Sequence, residues 1–386
     1  MRVVVVAEYY PRPDDPVSGV WAHRQAVAAR DAGADVRVLV LDRPVPGKAA
    51  IGDLGRGRPG RFVAAVRGAV ARRKATTLDG IEVEYVRYLS PPRSRSYAHW
   101  YRWARRPLAK ALDAGPRPDL VHAHYAHLAG AAALEWTAPR GIPLVVSVHG
   151  GDVIAPALAE TSKRTLRGAA LVMCNSRGTQ ARAARLAGRE DHMRVVHLGT
   201  DVPGALPPKH SRPTVATLAN VDPRKRHEDV LRALPLLPDE VRWTVIGDGP
   251  ALPRLKALAQ ELGLAGRVTF TGRLAPDEAH AELARAHVMA LPSEDEAFGV
   301  AYVEALAHGV PAIGCAGESG PDEIADLTRA MLLVPPRDPA ALAEAIETAM
   351  ADGALPDMAR ATAREHFTWP RCGAATVAAY EAALRP

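Results

Sequence analysis

Several features that would set this 386-residue chain apart from ordinary globular proteins are missing from its sequence. It has only three cysteines, Cys174, Cys315 and Cys372. An odd count without metal-ligand spacing indicates neither a disulfide framework nor a zinc site, so each reads as a small buried apolar residue. No uncharged run approaches the roughly eighteen residues that a membrane span needs. The opening Val3–Ala7 run meets Glu8 and Pro11 at once and is too short for the apolar region of a signal peptide. A cytoplasmic location is the expectation. Two phosphate-binding signatures are missing as well. No Gly-x-Gly-x-x-Gly follows the first strand, which disfavours a dinucleotide enzyme, and no Gly-x-x-x-x-Gly-Lys-Ser/Thr occurs, which weakens an ATPase reading. Phenylalanine (four residues) and lysine are scarce beside abundant Ala, Arg, Gly and Pro, the bias of a GC-rich genome rather than of a chemistry.

What remains is the composition of a folded chain, 48% hydrophobic and 24% charged, which excludes disorder over most of its length. At roughly 150 residues per domain, the length fits two domains. The net charge of +6 is unevenly spread. Residues 55–110 hold fourteen Lys and Arg against Asp79, Glu82 and Glu84, a local +11, and the remainder sums to −5.

Strands and helices alternate twice. Val3–Ala7 is a β-branched run suited to a parallel strand buried on both faces. A helix from Val20 ends at Gly33, and Val36–Leu41 completes a βαβ unit. Further strands read at Leu120–Ala123, Pro143–Val148, Ala170–Cys174 and Arg194–His197. Gly204–Pro213 is Pro-rich and unpatterned, as a linker is. Strands then resume at Thr214–Leu218, Arg242–Ile246, Arg267–Phe270, His287–Leu291, Pro311–Ile313 and Met331–Val334, with helices between. Two such sets predict two doubly wound α/β domains, whose ligands bind outside the carboxyl ends of the strands.

The most informative stretch is Leu291–Gly309. A strand ends at Leu291, a polar loop follows, Gly299 opens a helix, and Gly309 closes it. Glu296 lies in the loop and Glu304 one turn inside the helix. The unpaired N–H groups of the helix start between them suit a phosphate, and a carboxylate on each side suits the hydroxyls of a nucleotide sugar. Taken alone, the two acids also read as a helix N-terminal acid and a solvated face residue. Their neighbours are more specific: Pro292-Ser293 before, Phe298-Gly299 within, and Ala305-x-x-x-Gly309-x-Pro311 after.

This segment resembles the Glu-x7-Glu signature of the family 4 retaining glycosyltransferases. The likeness runs over nearly the whole chain. Ile246-Gly-Asp-Gly-Pro250 resembles the family's glycine turn, and Val268-Thr-Phe-Thr-Gly-Arg-Leu274 is similar to its base-contacting segment. Val196-His-Leu-Gly-Thr-Asp201 resembles the motif at the end of the first domain. Pro16-Val-Ser-Gly19 resembles the N-terminal glycine loop, and Ser147-Val-His-Gly-Gly-Asp152 the acceptor-side histidine loop. The resemblance implies the GT-B fold, two Rossmann-like domains facing a central cleft. Residues 1–205 would form the acceptor-side domain and 206–368 the nucleotide-sugar domain, with the helix in 369–386 crossing back to the first.

It also implies roles. Glu304 would bind the ribose hydroxyls and Glu296 the donor sugar, with the amides near Phe298, Gly299 and Val300 on the diphosphate or sugar. Lys225 would neutralise the leaving diphosphate. Gly247, Arg273 and Leu274 would line the nucleotide, while Gly19, His149 and Asp152 would face the acceptor, His149 close to the chemistry. Where the family usually carries an arginine, this chain has Asn220, an amide without charge, and Arg224 or Arg226 would have to reach in. His122 and His124 alternate on one strand face but lack a third ligand, so they read as packing or acceptor-side residues. The implied reaction is retaining transfer from a nucleotide sugar, UDP-linked by expectation, to an acceptor hydroxyl, with no cofactor and no metal. The same residues leave open a catalytically silent partner subunit, or a GT-B epimerase or phosphorylase.

The basic segment is a separate matter. Gly60–Lys74 can be drawn as a helix with Phe62, Val63, Val66 and Val70 on one side. Further on, Tyr97, Trp100, Tyr101 and Trp103 interleave with Arg95, Arg102, Arg105 and Arg106. Peripheral contact with an anionic membrane, capture of an anionic acceptor, and a plain solvated excursion all fit. Nucleic-acid binding, which such interleaving also suits, has no other support, and no nucleic-acid partner is expected.

Overall fold

The computed structural model describes residues 1–12, 15–44, 56–58, 60, 61, 63, 64, 75–91 and 96–385. Among them lie two separate open sheets. The first contains β1 (Arg2–Ala7), β2 (Asp35–Asp42), β3 (Ala75–Leu78), β4 (Ile81–Arg87), β5 (Leu120–His124), β6 (Leu144–Val148), β7 (Leu171–Cys174) and β8 (Met193–Val195). Their order is β3-β4-β2-β1-β5-β6-β7-β8. Every pairing is parallel except β3 on β4. In β1 the valine run is buried on both faces, as a central strand under two helical layers requires. The second sheet contains β9 (Thr214–Leu218), β10 (Arg242–Ile246), β11 (Val268–Gly272), β12 (Val288–Ala290), β13 (Ala312–Cys315) and β14 (Met331–Val334). It is wholly parallel, in the order β11-β10-β9-β12-β13-β14.

Each sheet reverses its direction of growth once. In the first, the chain leaves β1 for β2 on one side and returns to β5 on the other. In the second, the same happens between β9 and β12. These switch points open a crevice at the carboxyl ends of the flanking strands, the usual ligand position of a doubly wound sheet.

The chain forms two compact units. One comprises residues 1–174, 180–196 and the chain from Gly373 onward; the other comprises 175–179 and 197–372. The last helix, Trp369–Leu384, thus contributes its later turns to the first unit. There Thr376 accepts a hydrogen bond from Gln25 Nε2 at 3.0 Å and the Tyr380 hydroxyl meets His122 Nδ1 at 2.8 Å.

Two expectations need correction. Gly204–Pro213 is no free linker. Lys209 Nζ donates to the carbonyl oxygens of Ala286 at 2.7 Å and Ala284 at 3.1 Å, and Arg360 donates to Pro203 O at 2.6 Å. Unpatterned sequence has been tied down by Lys209 on these carbonyls, by His210 N on Arg285 O at 2.9 Å and by Arg360. The basic segment is not a single excursion either. Thr76 to Val86 lie in the β3–β4 hairpin, and β4 pairs with β2 over six residues. In the helix Tyr101–Ala114 the 3.6-residue period turns Tyr101, Ala104, Leu108, Ala111 and Leu112 inward. Trp100 is 4% exposed and Tyr101 7%, so neither serves as a surface aromatic; Trp103, at 40%, faces out. Of the amphipathic pattern in 60–74, Phe62, Val66 and Val70 fall outside the described residues, as does Arg95.

Candidate functional site

At the switch point of the second sheet, the loop after β9 runs from Asn220 to Lys225 and the loop after β12 from Leu291 to Glu296. The two are stitched together: Glu294 N donates to Arg224 O at 2.8 Å, and Arg224 returns its guanidinium to the carbonyls of Asp295 (3.1 Å) and Glu294 (3.4 Å). Lys225 Nζ then reaches Glu296 Oε2 at 2.5 Å. Glu296 is 7% exposed. Its carboxylate also accepts from Ser293 Oγ at 2.8 Å, and its backbone N–H donates to Glu318 Oε2 at 2.7 Å. Burial pushes the Glu296 carboxyl up, but Lys225, Ser293 and Arg224 together pull it below the ordinary carboxylate value. It is held as an anion.

The local sequence explains the loop. Gly299 stands at φ 79° and opens the helix Val300–Ala307, whose first amides are therefore unpaired by the helix itself. Beneath it, Tyr302 donates to Leu291 O at 2.5 Å and pins the strand end to the helix. Phe298 is buried against His197, with rings stacked 5.5 Å apart, and against Phe367. Its side chain is a packing anchor. Gly247, after β10, is a close-approach residue: a Cβ there would sit 2.0 Å from Ala219 O. It lets the β10 loop lie directly on the β9 loop that carries Asn220 and Lys225.

Glu304 belongs to the same helix but has a different partner, His280 Nε2, at 3.2 Å. His280 lies on the helix Pro276–Ala284. Burial lowers its imidazole, yet the Glu304 carboxylate more than offsets this, and the net shift is upward. Asn220 is exposed, with its carbonyl accepting from Asp222 N at 3.0 Å. Of the two arginines that could stand in for the missing one, Arg226 is committed to Asp229 at 2.6 and 2.9 Å. Arg224 is the one that acts on Glu296. Arg273 and Leu274 follow β11, exposed and half-buried respectively.

In the first unit, Gly19 caps the helix Val20–Asp31 at φ 65°, its Cα packed on the Tyr9 backbone. Asp152 is fully buried and saturated: Oδ1 accepts from His149 N at 3.2 Å and Oδ2 from Ala126 N at 2.9 Å. It fixes the loops after β5 and β6 to each other. His149 Nε2 meets His124 Nδ1 at 2.9 Å, with the rings stacked 5.2 Å apart. Beside them His122 joins Ser147 and Tyr380. Burial pushes His149 down to about 4 and His122 to about 3, with His124 well below its usual value, so all three rings are neutral near pH 7.

The structure therefore brings Lys225 into contact with Glu296, sets Arg224 on the carbonyls of Glu294 and Asp295 just before it, and places Gly299 and Val300 at the start of the adjoining helix. It gives Glu304 a partner that sequence reasoning missed, His280, and it gives Glu296 two more, Ser293 and Glu318. Ser293 was visible as part of the Pro-Ser pair; nothing local marked the other two.

The profile of glycosyl transferases group 1 matches residues 201–366, and that of glycosyltransferase family 4 matches residues 18–202. A D-inositol 3-phosphate glycosyltransferase of Streptomyces avermitilis is 30% identical over 318 residues, covering 70% of this chain and 68% of the relative. The chain belongs to the family 4 glycosyltransferases. A GDP-mannose-dependent phosphatidylinositol monomannoside mannosyltransferase of Mycobacterium tuberculosis is 32% identical over 220 residues, 49% of this chain and 57% of the relative. The likeness thus spans little more than half of that relative's length. Among solved structures, sucrose-phosphate synthase from Thermosynechococcus elongatus superposes with TM-score 0.77 at 21% identity, covering 99% of this chain and 98% of that one. Anabaena HepE in complex with UDP and glucose gives 0.72 at 19% identity, covering 98% and 99%. The fold of this family 4 member is GT-B.

Proposed function

We propose that this glycosyltransferase moves a hexose or related sugar from a nucleoside diphosphate to an acceptor hydroxyl with retention at the anomeric carbon. The observation that carries the reading is the Lys225–Glu296 pair at the second switch point, with Arg224 behind it. A buried carboxylate suits sugar hydroxyls, and an adjacent ammonium suits the phosphate oxygens that gain charge as the sugar leaves. Donor binding would exchange part of the ion pair for these two contacts. As the bond from the anomeric carbon to phosphate oxygen breaks, the bond to the acceptor oxygen forms on the same face, and the acceptor proton passes to the leaving phosphate. Glu304, positioned by His280, would hold the ribose. The uncharged Asn220 leaves the clamp with Lys225 and Arg224 as its cations.

UDP-sugar is the donor proposed first. The mycobacterial relative's GDP-mannose is the alternative that a screen of UDP- and GDP-sugars by thermal shift and donor hydrolysis would select. Glu296→Ala and Lys225→Ala should each remove most transfer while the protein stays folded; full activity in both would overturn the site. Conversion of the nucleotide sugar into another nucleotide sugar without an acceptor, or turnover dependent on phosphate, would favour an epimerase or phosphorylase instead. Peripheral membrane contact through 55–110 is a further part of the reading, for which the exposed large apolar side chains among the described residues are Val63, Leu89 and Trp103. Among those residues no helix is long and apolar enough to cross a membrane.

A further inference from the structure

The loop that carries Glu296 has one more support. Residues 175–179 belong to the second unit, although the chain on both sides of them belongs to the first. They follow β7 and open the helix Arg177–Ala187. Ser176 is fully buried and stands just before that helix, where its Oγ accepts from Thr179 N at 3.1 Å, the bond of a helix N-cap. A serine hydroxyl has one proton to give. It goes to Ala297 O at 2.6 Å, a shorter contact than the 3.0 Å to Thr179 Oγ1. Thr179 Oγ1 adds a longer bond to the same carbonyl at 3.4 Å. The segment is anchored independently of these bonds: Arg177 N donates to Glu323 Oε2 at 2.6 Å, and the Arg177 guanidinium to Asp326 at 2.7 Å.

A trans peptide is planar, with its C=O and N–H pointing opposite ways. Holding Ala297 O therefore also aims the N–H of Phe298, away from the buried hydroxyl. That N–H has no partner among the described residues, and neither do those of Gly299 and Val300 at the start of the helix Val300–Ala307. The next peptide is fixed as well. Gly320, in the helix Ser319–Ala325, lies so close to Phe298 O that a Cβ there would overlap it. Unpaired backbone N–H groups held rigidly beside a buried carboxylate call for a partner from outside the chain.

We propose that Ser176 is a positioning residue of the donor site, aiming the Phe298 amide at the oxygens of the nucleoside diphosphate through its hold on Ala297 O. The inference rests on the donor-site reading above and adds to it a residue that acts only through another. A donor aimed in advance needs no reorganisation as charge grows on the leaving phosphate, whereas an unheld peptide would have to turn. Base and ribose are held elsewhere on that reading, so the effect of Ser176 falls on the diphosphate. No sequence motif marked this serine, which lies 121 residues from the carbonyl it holds.

The chain carries its own probe for NMR. Of its four phenylalanines only Phe298 follows an alanine, so carbon-13 in alanine carbonyls and nitrogen-15 in phenylalanine amides mark the single peptide joining Ala297 to Phe298. In the full chain UDP or GDP, whichever binds, should move the Phe298 amide proton downfield, and uridine or guanosine should not. In Ser176→Ala the Ala297 carbonyl should move upfield and the amide response shrink. The diphosphate should bind roughly tenfold more weakly, as for a weakened hydrogen bond to a charged group, with nucleoside affinity unchanged. Ser176→Thr, which keeps the hydroxyl, should restore all of these. A silent Phe298 amide in a chain that binds the diphosphate would overturn the inference. So would unchanged diphosphate affinity in Ser176→Ala, or equal weakening of nucleoside and diphosphate, the mark of a lost helix cap alone. No diphosphate binding by the unsubstituted chain would overturn the donor-site reading itself, and this inference with it.

Discussion

Both units gather polar residues near the carboxyl ends of their central strands, yet they solve the electrostatics in opposite ways. In the second unit the site is charged: Lys225 pairs with Glu296, Arg224 lies on the carbonyls just before it, and Glu294 is shared by Arg226 and Arg337 at 3.9 and 2.6 Å. In the first unit the ends of β5 and β6 gather three histidines that burial keeps neutral, His122, His124 and His149, with Tyr125 against His149. The difference teaches that topology chooses the place while side chains choose the ligand. A charged crevice suits a diphosphate, which arrives with charge to neutralise. A neutral one suits an acceptor hydroxyl, which does not.

The comparison breaks most sharply at Lys225. Its replacement by alanine removes the cation proposed for the diphosphate and leaves Glu296 buried without its ion-pair partner. Loss of transfer by a factor of about 100 or more is expected, by analogy with removal of one transition-state donor. Urea unfolding should show a cost approaching the roughly 3–5 kcal/mol seen when one member of a buried pair is removed. Lys225→Met with Glu296→Gln should recover much of the stability and none of the transfer. A double variant as unstable as the single one would show that the pair matters for packing rather than for charge.

Acid should separate the units next. His122 and His149 have folded values of about 3 and 4, below the unfolded value near 6.5. Between those values the unfolded chain binds more protons, so stability of the first unit falls as pH drops from about 6.5 toward 4. Glu296 is lowered from 4.5, so its contribution is fully present above that value and is lost only as pH falls through its folded pKa. Hydrogen exchange, corrected for its intrinsic pH dependence, should show peptides around β5 and β6 losing protection at pH 5 before those spanning Leu291–Glu296, while His227, also pushed down to about 4 by burial, brings the same loss to the helix His227–Ala233. The reverse order would refute the contrast.

A smaller effect is expected at His280. Its raised value means that the interaction with Glu304 is fully present below the unfolded histidine value and is lost as pH rises through the folded one. His280→Gln should raise the donor KM severalfold with little change in kcat and flatten the dependence of KM on pH between 6 and 8. A fall in kcat alone would mean that Glu304 acts elsewhere. Smallest of all, Trp103→Ala should change stability by no more than about 0.5 kcal/mol, as an exposed side chain does. Its effect on flotation with anionic vesicles, if any, would sharpen the membrane reading.

Much of this organisation is legible in the residues. The strands β9, β10 and β14 lie where the apolar runs put them, because a strand buried on both faces leaves an uninterrupted signature, and Gly299 and Gly33 mark helix ends by their chemistry. The hairpin β3–β4 was not legible: β3 is a four-residue edge strand carrying two threonines, Glu82 and Glu84 alternate with apolar residues in β4, and the basic surroundings mask the pattern. The fate of Trp100 and Tyr101 was equally hidden. Aromatics among arginines look the same whether a helix turns them inward or outward, and only the helix register settles it.

The sequence by itself determined that there are two doubly wound units, and it marked the loop from Leu291 to Glu296 and Lys225, which the fold brings together. These follow from local pattern: runs, glycines and short spacings within one or two elements. Tertiary structure alone decided that Arg224 rather than Arg226 supports Glu296, that Glu304 has His280 beside it, and that Glu8, Tyr97 and His127 share hydrogen bonds. Those partners are separated by between 24 and 119 residues in the chain. Such distances are closed only when parallel strands stack side by side and bring their carboxyl-end loops together, and no short-range pattern records which loops will meet.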